Sequence, residues 1–297
     1  NYWNMRPMRG HNLMKVLGVL LLLGRGRTAA LAQRWTVDLD LAQENIRVMG
    51  AVTGDQNGHS VAAGDFNGDG KQDFMFGMPR YDANGGDSGQ VGVIFGSPLY
   101  TGGFVVNLAV LTPDLLIKGA AAGDQCGWSV ASGDLNADGA DEILLGSNFA
   151  DPSAKLNAGQ VAVLYGGTSW TTGMVVDLAT RAPDLLVAGA VAGDRLGESL
   201  ASGDFNNDGK DDLLIGASGA DYGARSLCGA GLVIYGSASW PATMVWDLAA
   251  TPADITAYGP RNTDSIGSAI AGGDVDGDGA ADLFVGGFFV DAAGPRI

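Results

Sequence analysis

Two cysteines, Cys126 and Cys228, and two histidines, His11 and His59, are all that the 297 residues hold of either type. Two thiols are too few for a disulfide framework or a cysteine-based zinc site. Whether they pair stays open, because spacing in sequence does not fix a Cα separation. So little histidine removes most transition-metal chemistry and most schemes that need an imidazole base. Basic residues are scarce as well: 17 Lys plus Arg stand against 33 Asp plus Glu, a net charge of −16. A surface of that sign repels phosphate backbones and anionic lipid, which argues against nucleic acid as a partner. Long apolar runs are missing too. Residues 16–23 (VLGVLLLL) fall well short of the roughly 20 residues a membrane-spanning helix needs. No 3.6-residue period lasts long enough for a helix of about ten residues.

What the chain has is glycine: 48 of 297 residues, about 16%, against a usual roughly 7%. With 46% hydrophobic residues it can still bury a core, so short strands separated by frequent turns are expected. Near the start, Arg6, Arg9 and Lys15 precede the apolar run, and Ala30, Leu31 and Ala32 follow it ahead of Gln33. Basic residues, an apolar stretch and a small-x-small site, in that order, make a secretory signal. We read residues 1–32 as a signal peptide or leader and 33–297 as an exported domain, secreted or held at the cell surface.

The segments GDFNGDGKQD (64–73), GDLNADGADE (133–142), GDFNNDGKDD (203–212) and GDVDGDGAAD (273–282) recur 69, 70 and 70 residues apart. The register reaches further. Gly50, Gly119, Gly189 and Gly259 stand 15 residues ahead of each leading Asp, and Leu39, Leu108, Leu178 and Leu248 another 11 ahead. Repeat units of about 36–105, 106–175, 176–245 and 246–297 follow. Each has the same strand signals, which in the second copy are DLLIKG (114–119), WSVAS (128–132), EILLGS (142–147) and QVAVLYGG (160–167). Short runs rich in Val, Ile and Leu between Gly and Asp read as strands. Four strands per unit, stacked radially against the neighbouring units, make the blade of a β-propeller, an all-β fold. The fourth unit reaches Ile297 before any counterpart of QVAVLYGG. A longer propeller is therefore expected in preference to a closed four-bladed one, with residues 34–38 (RWTVD) resembling the end of a unit.

Within each core, oxygen-bearing side chains recur at positions 1, 3 and 5, glycine stands at 6 and an acid at 9. The first loop supplies Asp65, Asn67, Asp69, Gly70 and Asp73, and the second Asp134, Asn136, Asp138, Gly139 and Glu142. The third supplies Asp204, Asn206, Asp208, Gly209 and Asp212, and the fourth Asp274, Asp276, Asp278, Gly279 and Asp282. A loop curling around a hard cation turns every second side chain inward, and the glycine admits the positive-φ turn that closes the shell. Position 7 would contribute its backbone carbonyl, from Lys71, Ala140, Lys210 and Ala280, which frees that side chain to vary. Two carboxylates about 4 Å apart repel by roughly 4 kcal/mol at an effective dielectric near 20, so three in one small loop call for a counter-cation. All-oxygen ligation with flexible spacing suits Ca²⁺ better than Mg²⁺, and up to four ions are expected. Asp, Asn and Gly make good turns without any metal; four such loops in register, each with an acid at position 9, favour the ion. The first, third and fourth loops are the cleanest. The extra methylene of Glu142 marks the second as weaker or shifted, and Asp141 and Asp211, at position 8, are expected to face solvent.

GWSVASGDLNADGADEILLGS (127–147) and GESLASGDFNNDGKDDLLIGAS (197–218), each followed by a strand ending LYGG (164–167) or IYGS (234–237), resemble FG-GAP repeats. These are the blades of the integrin α-subunit N-terminal propeller and of its bacterial relatives. The resemblance implies a seven-bladed propeller with Ca²⁺ in blade-edge loops at the positions just named. It also implies a non-enzymatic role in adhesion or in binding an extracellular protein or glycan. One alternative is the non-catalytic propeller portion of a larger secreted hydrolase, since such blades also accompany a phospholipase D, with further blades or domains in a longer chain. Another is a lectin-like carbohydrate binder that uses the aligned Tyr100, Trp170 and Trp240, for which packing between blades is the competing role. Ser60, Ser129 and Ser199 also recur, but the fourth copy has Ala269 and only His59 adjoins one of them. They read as strand serines, not nucleophiles. The rows Asp55, Asp124, Asp194, Asp264 and Asp82, Asp151, Asp221, Asp291 read as turn caps.

Overall fold

The computed structural model describes residues 46–100 and 104–290, and near the start two dipeptide strands, β1 (Leu13–Met14) and β2 (Leu22–Leu23), paired antiparallel. The rest of the leader expected over residues 1–32 lies outside the described residues, as do residues 34–38 and Asp291. Among the described residues the regular structure is strand apart from one short 3-10 turn, Pro152–Ala154. No helix there is long and apolar enough to cross a membrane.

Three large sheets follow one another. The first runs β4 (Val61–Gly64), β5 (Asp73–Met78), β6 (Gln90–Ile94), β8 (Leu115–Lys118) and β12 (Met174–Asp177), antiparallel until the last pair, which is parallel. The second runs β9 (Ser129–Gly133), β10 (Glu142–Ser147), β11 (Gln160–Leu164), β13 (Leu185–Ala188) and β17 (Met244–Asp247) in the same pattern. The third holds β14 (Leu196–Gly203), β15 (Asp212–Ala217), β16 (Ala230–Ile234) and β18 (Ile255–Tyr258). Ahead of them β3 (Ile46–Met49) pairs in parallel with β7 (Phe104–Asn107), which reproduces the outer two strands of a sheet. After them β19 (Ile266–Gly273) and β20 (Asp282–Gly287) reproduce the inner two.

The apolar pattern explains the burial. β5, β10 and β15, each an almost unbroken apolar run, are buried at all six positions, as strands covered on both faces must be. The core lies between sheets. Met75, Val91 and Val93 share one cluster with Ile143, Leu145 and Leu164, and Leu144, Val161 and Val163 share the next with Leu213, Ile215 and Ile234. Each such side chain contributes about 1.5–3 kcal/mol by leaving water. Along the inner edge β4, β9, β14 and β19 stand side by side, and serines fasten each to the next. Ser60 Oγ donates to the carbonyl of Gly127 at 2.8 Å, Ser129 to Gly197 at 2.7 Å and Ser199 to Gly267 at 2.9 Å. The approach is close enough that a Cβ on Gly146 would meet both Ser129 Oγ and the Gly197 carbonyl, so that strand position admits only glycine.

The sheets do not coincide with the sequence units. DLLIKG, which stands first in its unit, forms β8 and pairs with β6 of the preceding unit, with Val91 opposite Ile117. A 70-residue period fixes the length of a repeat but not its phase. Residues 119–128 cross from the outer edge of one sheet to the inner edge of the next, so a single unit is divided between two sheets. The strand pattern also omitted a fifth element. β12 and β17 (MVVD and MVWD) close the first two sheets in parallel.

Candidate metal centres

Each acidic segment joins an inner strand to its antiparallel neighbour: β4 to β5, β9 to β10, β14 to β15 and β19 to β20. In the first two loops the residue at position 2 plugs the loop into the core, with Phe66 and Leu135 fully buried between sheets, whereas Val275 of the fourth loop is exposed. From that anchor the chain curls as the spacing requires. In the first loop Asp65 accepts the amides of Asp69 (3.0 Å) and Gly70 (2.7 Å), Asn67 Oδ1 accepts that of Asp69 (3.0 Å), and Asp69 accepts that of Lys71 (3.0 Å). The second loop repeats this with Asp134, Asn136 and Asp138, the third with Asp204, Asn206 and Asp208, and the fourth with Asp274, Asp276 and Asp278. Side chains 1, 3 and 5 thus all turn inward. Gly70, Gly139, Gly209 and Gly279 have φ of 82°, 92°, 83° and 98°, the left-handed region expected at position 6. Position 4 is left-handed too (Gly68, Ala137, Asn207 and Gly277). Sequence reasoning missed that requirement because only two of the four residues there are glycine.

The loops then divide into two kinds. In the second, ligand oxygens of Asp134, Asp138 and Glu142 converge within 4.8 Å, and in the fourth those of Asp274, Asp276 and Asp282 do the same. In the first and third, a lysine at position 7 takes the position-5 acid: Lys71 Nζ lies 2.7 Å from Asp69, and Lys210 Nζ 2.8 Å from Asp208. Hydrogen bonding from those lysines lowers the pKa of both acids. The acid at position 9 also differs. Asp73 accepts the amides of Phe66 (3.0 Å) and Gly96 (2.7 Å), one on each oxygen, and Asp212 holds Phe205 and Gly236 likewise, both at 2.8 Å. Glu142 reaches one methylene further. Its Oε2 accepts the Leu135 amide at 2.6 Å, while its Oε1 reaches into the loop to Asn136 Nδ2 at 3.0 Å. Glu142 thus sets its carboxylate beside Asp134 and Asp138.

Burial makes that convergence costly without a cation. Glu142 is fully inaccessible, and burial, with Asp138 and Asp134 beside it, pushes its pKa up to about 8. Burial likewise pushes Asp73 up to about 6 and raises Asp212. A buried carboxylate facing two more is stabilised by a bound dication, and the donor set is all oxygen. The side chains therefore fit Ca²⁺, with Asp65, Asn67, Asp69 and Asp73, and their equivalents in the other loops, as the groups that would hold it.

Position 8 departs from expectation. Asp141 and Asp211 do not face solvent: each is half-buried against the preceding loop, which raises its pKa. Elsewhere the cap rows act as caps. Asp55, Asp194 and Asp264 accept amides of their own turns, and Asp82, Asp151 and Asp221 accept those of Asp87, Asn157 and Leu227. Trp170 is 5% exposed, donates Nε1 to the Tyr165 carbonyl and lies under Arg181. Trp240 and Tyr100 are partly buried against the cores, as residues that pack between blades would be. Cys126 and Cys228 are unpaired and buried, and burial pushes the Cys126 thiol up to about 12.

One feature at the opposite ends of the strands escaped the sequence. The His59 ring packs against Trp128 at a tilt of 45° with centroids 4.5 Å apart, Trp128 meets Phe149 edge-on at 5.9 Å, and Arg195 lies over Phe149 at 5.4 Å. His59 and Trp128 stand at the same position of successive repeats, but the third copy has Glu198 there and the fourth Ser268, so the repeat does not announce an aromatic row.

The FG-GAP repeat model matches residues 57–94, 127–164 and 196–235, each stretch holding one complete acidic loop and the strands on either side. The chain carries FG-GAP repeats. This FG-GAP chain folds its fourth loop in the same way, although that loop lies outside the matched stretches. It is 32% identical over 239 residues to integrin alpha pat-2 of Caenorhabditis elegans, an alignment covering 78% of this chain and 18% of that protein. To integrin alpha-5 of Xenopus laevis it is 29% identical over 240 residues, 79% of this chain and 20% of the relative. To phosphatidylinositol-glycan-specific phospholipase D of Rattus norvegicus it is 32% identical over 170 residues, 57% of this chain and 19% of the relative. The alignments thus span about a fifth of each relative. All-β sheets built from FG-GAP repeats are the blades of a β-propeller.

Proposed function

We propose that this FG-GAP propeller is a secreted or cell-surface binding module for an extracellular protein, with Ca²⁺ holding the loops at one end of its blades. The observation that carries the calcium reading is the meeting of Asp134, Asp138 and buried Glu142 within 4.8 Å. Three acids so placed call for a balancing cation, and four dications would change the formal charge from −16 to −8. Bound calcium would supply the positive charge that keeps these carboxylates ionised and the hairpin ends rigid. The chain's own part is to hold the oxygens inward through the amide hydrogen bonds already made. Similarity to integrin alpha chains supports a protein ligand, and the His59–Trp128–Phe149–Arg195 row gives the end of the blades away from the metal loops an aromatic and cationic surface for one. Similarity to a phospholipase D supports the second reading, a non-catalytic propeller within a larger secreted hydrolase.

Calcium that binds only the folded state raises its stability by linkage, so the melting temperature in millimolar Ca²⁺ is expected to exceed that in chelator by ten degrees or more, on the order of that linkage. Coincident melting curves would overturn the calcium reading.

A further inference from the structure

We infer that Asp141 and Asp211 are positioning residues that couple each metal loop to the one before it, so that calcium entering one loop raises the affinity of its neighbour. The inference rests on the calcium reading and adds a dependence between sites. Asp141 grips Asp65, the first residue of loop 1, at two points. The Asp141 amide donates to the Asp65 carbonyl at 3.0 Å, and Asp141 Oδ2 accepts the Asp65 amide at 2.7 Å. Asp211 grips Asp134, the first residue of loop 2, in the same way, at 3.0 Å and 3.3 Å. The residue gripped is a candidate ligand of one loop. The residue gripping it lies between the position-7 carbonyl and the position-9 acid of the next. A loop that tightens around an ion moves its leading aspartate, and the clamp passes that movement to two candidate ligands of the neighbour.

Space has been kept for the clamp. A Cβ on Gly64 would lie 2.7 Å from Asp141 Oδ2, and one on Gly133 would lie 2.8 Å from Asp211 Oδ2. Any side chain at those glycines would displace the carboxylate. The junction between loops 3 and 4 provides the contrast. There the Ala281 amide donates to the Asp204 carbonyl at 2.7 Å, but alanine has no carboxylate to accept the Asp204 amide. Loops 1 to 3 are therefore a coupled set and loop 4 is joined by backbone alone.

Each loop has its own reporter: the amides of Gly70, Gly139, Gly209 and Gly279 donate to the carboxylates of Asp65, Asp134, Asp204 and Asp274, in that order. In an amide NMR titration of the full chain with calcium alone, Asp134→Ala, which disables loop 2, is expected to raise the Gly70 midpoint about fivefold or more, the lower end of ordinary site-to-site coupling. In an Asp141→Ala background the same substitution is expected to leave the Gly70 midpoint in place. Asp141→Asn keeps an oxygen acceptor and is expected to restore the fivefold shift. Ala281→Asp is expected to draw the Gly279 midpoint toward that of Gly209. A Gly70 midpoint indifferent to Asp134→Ala in the otherwise native chain overturns the coupling and leaves the calcium reading standing. Glycine amides that ignore calcium altogether overturn the calcium reading, and the coupling falls with it.

Discussion

Loops 1 and 3 share a lysine at position 7, whereas loops 2 and 4 share an alanine there and each add a change of their own, Glu142 at position 9 and Asp276 at position 3. In the first pair the lysine has already neutralised the position-5 acid. In the second pair three acids are gathered without such a partner. Oxygen-bearing side chains at alternate positions shape every loop, and the residue at position 7 sets whether the position-5 acid has a basic partner. Lysine is a built-in counter-ion. In loops 1 and 3 it holds the position-5 oxygen that a bound calcium would need, whereas the alanine of loops 2 and 4 offers no such partner.

The comparison breaks most visibly at Glu142. Glu142→Ala removes the inward carboxylate and strands the buried Leu135 amide, a loss of about 1–3 kcal/mol. Calcium stoichiometry by titration calorimetry is expected to fall by one and the melting temperature by several degrees. A full complement of ions in that variant would remove Glu142 from the ligand set. Exchanging the position-7 residues tests the contrast itself. Lys71→Ala is expected to tighten loop 1 and Ala140→Lys to loosen loop 2, each by roughly threefold to tenfold. Both effects should shrink as salt screens the exposed ammonium. Equal midpoints in native and exchanged proteins would show that lysine does not compete.

The two kinds of loop should also differ in pH dependence. Glu142, raised to about 8, must lose a proton to bind metal, whereas Asp73 is raised only to about 6. Calcium affinity at Gly139 is expected to climb with pH until about 8, while that at Gly70 levels off above about 6; identical profiles would contradict the difference in burial. Both folded-state pKa values lie above their unfolded values. The metal-free fold is therefore favoured most below the unfolded pKa and loses stability as pH rises, through about 6 for Asp73 and through about 8 for Glu142. The smallest effect is at position 4. Ala137 holds a φ of 59° where loops 1 and 4 have glycine, so Ala137→Gly is expected to stabilise the chain by about 1 kcal/mol in denaturant melts. No change there would mean that the strain is relieved elsewhere.

Much of this was legible beforehand for a physical reason: ligand spacing and apolar runs are local, and they recur in four copies. The inward-curling Asp and Asn loops, the double-sided strands and the reading of Ser129 as a strand serine all come from such patterns. What escaped depends on neighbours distant in sequence. Asp141 looks like a surface acid until Asp65, 76 residues away, is seen to hold it. Glu142 looks too long until its backbone is placed. Trp170, aligned with Tyr100 and Trp240, is indistinguishable in sequence from a platform residue until the sheet closes over it. β8 was assigned to the wrong side of a crossover because periodicity carries no phase.

The parallel closing strands have a practical consequence. The first large sheet draws its members from residue 61 through residue 177 and the second from 129 through 247, so the two overlap along the chain like tiles on a roof. A protease cut or an engineered boundary placed between sequence units divides both sheets when it falls near residue 175, inside the overlap, and divides the first sheet when it falls near residue 105. Any excised fragment that is to hold together needs its termini set by the sheets, carrying the outer pair of strands contributed by the next unit.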